Sequence, residues 1–379
     1  MSFSFILPQK VIFGKGSIEL TGEEAKRLGG RTVLIVTSPG MVHRPHLKQT
    51  ADSLKKHKLR YDVFSEVTPE PPIEDAYRCV AFAREKGLDL LVGLGGGSVM
   101  DVAKKAAADL SLPKIMVPTT AGTGSEVTHE SVLKVDGKKR AFVEAGLTAD
   151  VAIVDPNLCN TMSKRLTASS GMDALAHAVE CYESRKSNPI AKTLALEAYN
   201  LIKDNLMQAV KGDTQAMVNL SLGSMMAGMA FGNSGTTLGH ALSYPLSNRG
   251  VPHGEAVAMV LPYALLIPVL QELKISMLEV NNKDIVIVKE RKGGLARPYV
   301  SGSVGYAPEI MKLKERALQT YDSYAAVKDN IKNYRDKNVL YDAAKNKVNN
   351  KTKQHPLERE IVSDQIITVG EDIIDCLFH

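Results

Sequence analysis

Four residues in the second half of the chain have the types and spacing of metal ligands. Asp173 and His177 are four residues apart in "GMDALAHAVE", so on a helix both side chains would lie on one face. His240 and His253 follow in "GHALSYPLSNRGVPHGEA", among small residues that leave room for a ligand. Taken alone, Asp173 and His177 could be a hydrogen-bonded pair. One carboxylate and three imidazoles in mainly apolar segments instead indicate a divalent metal site.

Two further segments have the composition of a dinucleotide-binding site. In "GLGGGSVMDVAK" (93–104), glycines separate a strand-like run from a helix, whose unpaired N–H groups and dipole can bind a phosphate. "PTTAGTGSEVT" (118–128) is a second loop rich in glycine and hydroxyl groups. The first glycine run alone could equally be a tight structural turn, but two such loops after two strands favour a nucleotide site. The candidate residues are Gly95, Gly96, Gly97, Ser98, Asp101, Thr119, Thr120, Thr123 and Ser125.

The elements that must position these residues change in kind near residue 160. Up to that point strand-like runs such as "RTVLIVTS" and "KIMVPTT" alternate with helical stretches, which predicts an α/β domain with a doubly wound, mostly parallel sheet over residues 1–160. "MSFSFILPQKVIFGKGS" predicts a strand, a turn and another strand at the N-terminus. Beyond residue 160 the spacing is helical, as in Leu194, Ala198, Ile202, Leu206 and Val210, and residues 161–379 are predicted to form an all-α metal-binding domain.

Composition limits the functional classes. The chain has 379 residues, 44% hydrophobic and 23% charged, and a net charge of +5, which indicates a folded protein and gives no sign of nucleic-acid binding. Its four cysteines are scattered, which argues against a disulfide framework. Without a leader-like N-terminus or a long apolar run, we expect no membrane contact and a cytoplasmic location. For most of the remaining histidines we expect surface positions: His43, His46, His57, His129, His355 and His379.

The motifs together resemble the iron-containing, or group III, alcohol dehydrogenase family over roughly residues 1–265. The resemblance rests on the two loops above, on "ADVAIVDP", "SSGMDALAHAVE" and "GHALSYPL", and on "PHGEAVAMVLP", all in the family's order. It implies a Rossmann-like domain followed by a helical domain. It also implies that the metal is Fe2+, with Zn2+ or another divalent metal as the alternative, and that its ligands are Asp173, His177, His240 and His253. It also implies an NAD(P)-dependent enzyme acting on a small alcohol or aldehyde, and it is compatible with a homodimer.

Three features depart from the family pattern. Tyr244 stands where many members have a histidine, although its hydroxyl could still contribute. Ser38 and the two residues after it replace an acidic residue that often binds the ribose 2′-OH in members that prefer NAD, so NADP(H) is favoured over NAD(H). After about residue 270 the family pattern is lost: residues 284–306 suggest strand and loop, and the basic segment 328–353 suggests a solvated helical face.

Related families offer alternatives to this interpretation. The dehydroquinate synthase group has a similar two-domain plan, but "PHGEAVAMVLP" fits the alcohol dehydrogenases better. A relative of the glycerol-phosphate dehydrogenase type is a further alternative. A metal-free reductase of the maleylacetate type would not need the aspartate and three histidines. An inactive cofactor-binding remnant is the non-enzymatic alternative, because the tail differs from the family.

Overall fold

The computed structural model describes residues 2–272, 278–281 and 284–287. Residues 2–160 form strands and helices in alternation. The strands are β1 Lys10–Phe13, β2 Thr32–Val36, β3 Arg60–Phe64, β4 Leu90–Gly95, β5 Lys114–Pro118, β6 Glu130–Val135, β7 Lys138–Val143 and β8 Val151–Val154. The helices between them are α1 Thr21–Arg27, α2 Pro45–Lys56, α3 Ile73–Glu85 and α4 Gly97–Leu110.

Six of these strands form one parallel sheet in the order β1-β8-β5-β4-β2-β3. Strands β4, β5 and β8 are buried at every position, because helices cover both faces of the sheet. The prediction of a doubly wound parallel sheet is confirmed. The ends of β4 and β5 lie at the same edge of the sheet. The glycine-rich loop after β4 (residues 95–98) and the threonine-rich loop after β5 (residues 119–128) are therefore neighbours.

Two details of this half differ from the sequence predictions. Strands β6 and β7 form an antiparallel hairpin that was not predicted, with Asp136 and Gly137, both at positive φ, in its two-residue turn. The predicted N-terminal pair of strands is wrong, because β1 is the single strand there. The backbone N–H and C=O of Ile6 are instead bonded by the side-chain amide of Asn233, at 2.6 and 3.0 Å.

From residue 156 to residue 272 the chain is helical. The helices are α5 Pro156–Cys159, α6 Lys164–Glu183, α7 Pro189–Val210, α8 Thr214–Phe231, α9 Leu238–Ser247 and α10 His253–Glu272. Ala198, Ile202, Leu206 and Val210 of the predicted stripe on α7 are buried against α6 and α8. After α10, β9 Leu278–Asn281 and β10 Asp284–Ile287 pair antiparallel, which agrees with strand character at the start of segment 284–306.

Several predictions concern residues that the structure does not describe, and one prediction about the histidines differs from the structure. Most of segment 284–306, the basic segment 328–353, His355 and His379 lie outside the described residues. His43 is exposed as expected, whereas His46 is buried with its Nε2 3.2 Å from Thr161 Oγ1. In the part of the chain that the structure describes, none of the helices has the length and hydropathy of a membrane span.

A backbone contact joins the threonine-rich loop to the helical half. Gly124 has φ +58°, and a Cβ on it would lie 2.5 Å from Gly228 Cα in α8. A Cβ on Gly228 would in turn lie 2.7 Å from Gly124 Cα. Only glycine at both positions allows this approach, since a side chain at either one would collide with backbone.

Candidate active site

Three of the four predicted metal ligands converge in the helical half. Asp173 lies in the middle of α6, His240 in the first turn of α9, and His253 is the first residue of α10. Asp173 Oδ1 is 3.5 Å from His240 Nε2 and 3.7 Å from His253 Nε2. One ligand atom from each of the three residues lies within 4.8 Å of the other two, a spacing that suits a single cation.

His177 lies beside this group and outside it. It is one turn after Asp173 on α6, as the spacing predicts, and its ring stacks between two others. The ring centroids are 4.0 Å from Phe231 and 4.5 Å from His240, with interplanar angles of 13° and 21°. That His177 is the fourth ligand therefore stays a prediction.

Polar atoms that lack partners mark the site. Asp173 Oδ1, His177 Nδ1 and His240 Nε2 are buried and have no hydrogen bond to any described residue. Buried polar atoms are normally paired, and three such atoms in adjacent side chains need a common explanation. A divalent cation coordinated by carboxylate oxygen and imidazole nitrogen provides one, so the residues present fit a metal.

Glu180 belongs to the same cluster, although the sequence analysis did not select it. This buried carboxylate lies on α6, one turn after His177, and its Oε2 accepts a hydrogen bond from His240 Nδ1. Its Oε1 accepts from the backbone N–H groups of Thr237, Gly239 and His240, and from Thr237 Oγ1. The spacing "DALAHAVE" places Glu180 on the face of Asp173 and His177, which is the signal that could have found it.

The pKa values in this cluster reflect burial and close charges. Burial lowers the pKa of His177 and of His253 to about 4, against the opposing effect of the Asp173 carboxylate. Burial raises the pKa of Asp173, but the three histidines lower it by more, so the net direction is downward. Burial lowers the pKa of His240, yet Glu180 and Asp173 raise it well above its ordinary value. The space between these two carboxylates therefore favours a positive charge.

The start of α10, which carries His253, is fixed against α6. Arg165 and the buried Glu255 form a two-bond ion pair, with Nε–Oε1 at 2.6 Å and a second N–H bond at 2.9 Å. A Cβ on Gly254 would lie 2.4 Å from the backbone oxygen of Ser169, so the two helices meet closely there. Both contacts adjoin His253 and hold it near Asp173.

The ring of Tyr244 lies next to the ring of His253. The two ring centroids are 6.2 Å apart with an interplanar angle of 20°. Burial, together with the charges of Glu130, Asp173 and Glu180, raises the pKa of Tyr244. Its hydroxyl is therefore neutral over the physiological pH range.

The two predicted nucleotide loops are in direct contact. Helix α4 begins at Gly97, directly after β4, with the half-exposed Gly96 at its N-terminal cap. A Cβ on Gly96 would lie 3.3 Å from Thr120 Cγ2, and one on Gly97 would lie 2.7 Å from Thr123 Cγ2. Thr119 N–H bonds to Gly95 O at 2.9 Å. The loops thus form one surface beside the N-terminus of α4, where backbone N–H groups favour an anion.

Other predicted nucleotide residues take part in internal bonds. Ser125 Oγ donates to Asp101 Oδ1 at 2.6 Å, and Asp101 Oδ2 accepts from Val132 N–H at 3.0 Å. Lys104, which is fully buried, donates to Ser125 O at 2.8 Å. Asp101 and Ser125 therefore fix the threonine-rich loop to α4.

Ser98 and Ser38 lie at the same edge of the sheet. Ser98 Oγ accepts from the N–H of Glu70, in the loop after β3. Ser38 follows β2 in extended conformation and is half-buried, just before the short helical turn Pro39–Met41. All the predicted nucleotide residues thus lie at or just beyond the carboxyl ends of the parallel strands, where such sheets bind ligands.

Comparison with known proteins decides the family. A model described as iron-containing alcohol dehydrogenase matches residues 8–156, and a model of the C-terminal part of the Fe-containing alcohol dehydrogenase family matches residues 167–279. The chain belongs to the iron-containing alcohol dehydrogenase family. Long-chain-alcohol dehydrogenase 1 of Geobacillus thermodenitrificans is 40% identical over 284 residues, which cover 69% of this chain and 72% of that protein.

Two solved structures are also similar to this chain. That of an iron-containing alcohol dehydrogenase from Thermotoga maritima has a TM-score of 0.66 and 37% identity, covering 72% of this chain and 80% of the other. Sulfoacetaldehyde reductase from Bifidobacterium kashiwanohense, solved with NAD+, has a TM-score of 0.67 and 34% identity, covering 70% and 77%. As a member of this family, the chain is a metal-dependent oxidoreductase that transfers hydride between a nicotinamide cofactor and an alcohol or aldehyde.

Proposed function

We propose that Asp173, His177, His240 and His253 hold the divalent metal of this alcohol dehydrogenase, Fe2+ in the first place and Zn2+ as an alternative. The observation that carries the proposal is the convergence of Asp173, His240 and His253 within 4.8 Å, with Asp173 Oδ1 and His240 Nε2 buried and unbonded. His177 would complete the set from the adjacent turn of α6. Donor chemistry does not choose between the two metals, because both accept imidazole and carboxylate.

The side chains around this centre supply charge and shape. One carboxylate and three neutral imidazoles would leave a divalent cation with a net single positive charge. When bound, such a cation acts as a Lewis acid that polarises a substrate oxygen. The buried ring of Phe231 covers the ring of His177 on the face away from His240 and shields these four side chains from solvent there. Tyr244 can offer a neutral hydroxyl beside His253 as a hydrogen-bond donor to a substrate.

We also propose that the loops at the end of β4 and β5 bind the cofactor, with NADP(H) preferred over NAD(H). Gly95, Gly96, Gly97 and Ser98 would contact its phosphates, with Thr119, Thr120 and Thr123 beside them. Asp101 and Ser125 would keep the second loop in place. The preference for NADP(H) is supported by Ser38, which carries no charge to repel a 2′-phosphate.

We further propose the substrate class, the location and the oligomeric state of the enzyme. The substrate is a small alcohol or aldehyde, and the enzyme is a cytoplasmic homodimer. The division into residues 1–160 and 161–379 is supported by the end of β8 at Val154 and the start of α6 at Lys164.

The test of the metal set compares His253→Ala with His43→Ala, a change at an exposed histidine. Protein purified without oxygen or chelators is analysed for metal content, and NADP(H) binding is measured by fluorescence. We expect His253→Ala to lose its metal and activity but to keep cofactor affinity, and His43→Ala to match the wild type. If His253→Ala keeps both its metal and its rate, the ligand assignment is wrong.

Cofactor preference is tested by Ser38→Asp. The new carboxylate is expected to repel a 2′-phosphate and accept a bond from a ribose 2′-OH. The ratio of kcat/KM for NADPH to that for NADH should therefore fall by at least about tenfold. This factor corresponds to a change of about 1.4 kcal/mol in the relative binding free energy of the two cofactors. An unchanged ratio would contradict the placement of Ser38 at the cofactor ribose.

A further inference from the structure

We propose that Glu180 is a positioning residue, which fixes the tautomer of His240 and so presents the Nε2 lone pair to the metal. This inference rests on the proposed function, because it takes His240 as a ligand. Glu180 is not a ligand in the proposed set. It acts through His240, from the side of the ring opposite to Asp173.

The donor and acceptor chemistry leaves few choices for His240. An ionised carboxylate has only lone pairs, so Glu180 Oε2 must accept, and His240 Nδ1 must donate. In the neutral ring the other nitrogen, Nε2, is then the unprotonated one. Nε2 lies 3.5 Å from Asp173 Oδ1, so the lone pair of the neutral ring faces a carboxylate oxygen, and a cation between the two atoms satisfies both. A carboxylate behind a ligating histidine is a common arrangement around bound metals.

The same carboxylate also fixes the start of α9, the helix that carries His240. Oε1 of Glu180 accepts from the N–H groups of Gly239 at 2.7 Å and His240 at 3.3 Å, in the first turn of α9. These N–H groups have no partner within the helix, and a carboxylate at this end is stabilising. A Cβ on Gly239 would lie 3.1 Å from Oε1, so glycine permits this close approach. Ring orientation and helix position therefore depend on one side chain.

Glutamine at position 180 separates the two roles. Its amide oxygen can still accept from the start of α9, but its –NH2 group can only donate to His240 Nδ1. Nδ1 must then carry the lone pair, and the proton moves to Nε2, where it can bond to Asp173 Oδ1. Glu180→Gln thus keeps the helix start while it blocks the nitrogen that would bind the metal.

The experiment measures Co2+ affinity of the full-length protein from its visible absorption bands, with thermal unfolding as the structural readout. The matched controls are Thr237→Val, which removes the hydroxyl bond to Oε1 and leaves the His240 bond, and Glu197→Gln on the exposed face of α7. We expect Glu180→Gln to raise the Co2+ dissociation constant about 10- to 100-fold at an unfolding midpoint close to that of the wild type. Both controls should bind Co2+ with wild-type affinity, because neither change removes the bond between Glu180 and His240.

Two results would overturn the inference. One is a Glu180→Gln protein that binds Co2+ as tightly as the wild type. The other, which does not depend on how the variant folds, is a 1H–15N spectrum of histidine-labelled wild type loaded with Zn2+ in which His240 carries its proton on Nε2. If His253→Ala loses metal while Glu180→Gln does not, only the role of Glu180 fails. If His253→Ala also keeps its metal, the ligand set itself fails.

Discussion

Replacing Glu126 by glutamine should remove a pH dependence of stability. Glu126 lies in the short helical turn Ser125–Val127 of the threonine-rich loop and is 3% exposed. Burial raises the pKa of this carboxyl to about 7, from an ordinary 4.5, against smaller opposing effects of its own backbone N–H and of Lys104. The folded protein therefore keeps Glu126 protonated in a pH range where the unfolded chain ionises it.

The sign and size of the effect follow from these two values. Because the folded pKa is the higher one, the stabilising contribution is fully present below pH 4.5 and is lost as the pH rises through about 7. At about 1.4 kcal/mol per pH unit, the total loss is about 3 kcal/mol, most of which falls between pH 5 and pH 8. A glutamine has no proton to lose, so the variant should not show this part of the dependence.

The assay compares thermal unfolding of the wild type, Glu126→Gln and the exposed control Glu197→Gln at pH 5 and pH 8. A difference of about 3 kcal/mol corresponds to roughly 5 to 10 °C for domains of this size. The wild type and the control should lose that much more than Glu126→Gln between the two pH values. If all three proteins show the same change in midpoint, Glu126 is ionised when folded, and the reasoning from burial is refuted.

Three further predictions concern the site. Gly97→Ala places a Cβ 2.7 Å from Thr123 Cγ2, an overpacking that costs roughly 1 to 2 kcal/mol. The KM for the nicotinamide cofactor should therefore rise about tenfold, while the bound metal is retained. Arg165→Ala leaves a buried carboxylate of α10 unpaired two residues after His253, so the metal dissociation constant should rise about tenfold in a Co2+ titration; unchanged affinity would separate the ion pair from the site. Tyr244→His introduces a group that titrates near neutral pH, and the pH profile of kcat should gain an inflection between about pH 6 and 8 that the wild type lacks.

Much of the fold could be predicted because burial leaves a strong pattern in the sequence. The strands of the parallel sheet are short apolar runs, and the helical half shows four-residue spacing. The β6–β7 hairpin was missed although its Asp136–Gly137 turn is a known hairpin signal, because its flanking residues are mostly polar. The prediction of an N-terminal strand pair failed because the apolar residues there contact distant parts of the chain. Ile6 bonds to Asn233, which is 227 residues away in the sequence, and Phe5 packs against helices of the second half.

The candidate site could be predicted in its residue types but not in its geometry. Asp173, His240 and His253 stand out because polar side chains are rare in apolar helices. Spacing placed His177 one turn after Asp173 on α6, but the orientation of its ring depends on stacking with Phe231, which no local pattern encodes. The role of Glu180 could not be predicted for the same reason, since its hydrogen-bond partners lie up to 60 residues further along the chain.

The glycine pair at positions 124 and 228 has a consequence for protein engineering. A chimera that joins the sheet-forming part of this enzyme to the helices of a relative would bring together two backbones from different parents at this contact. Because a single methyl group on either side would lie within 2.7 Å of the opposing main chain, such a hybrid requires glycine from both parents. Choice of donor sequences should therefore begin with these two positions, before any residue that touches a ligand is considered.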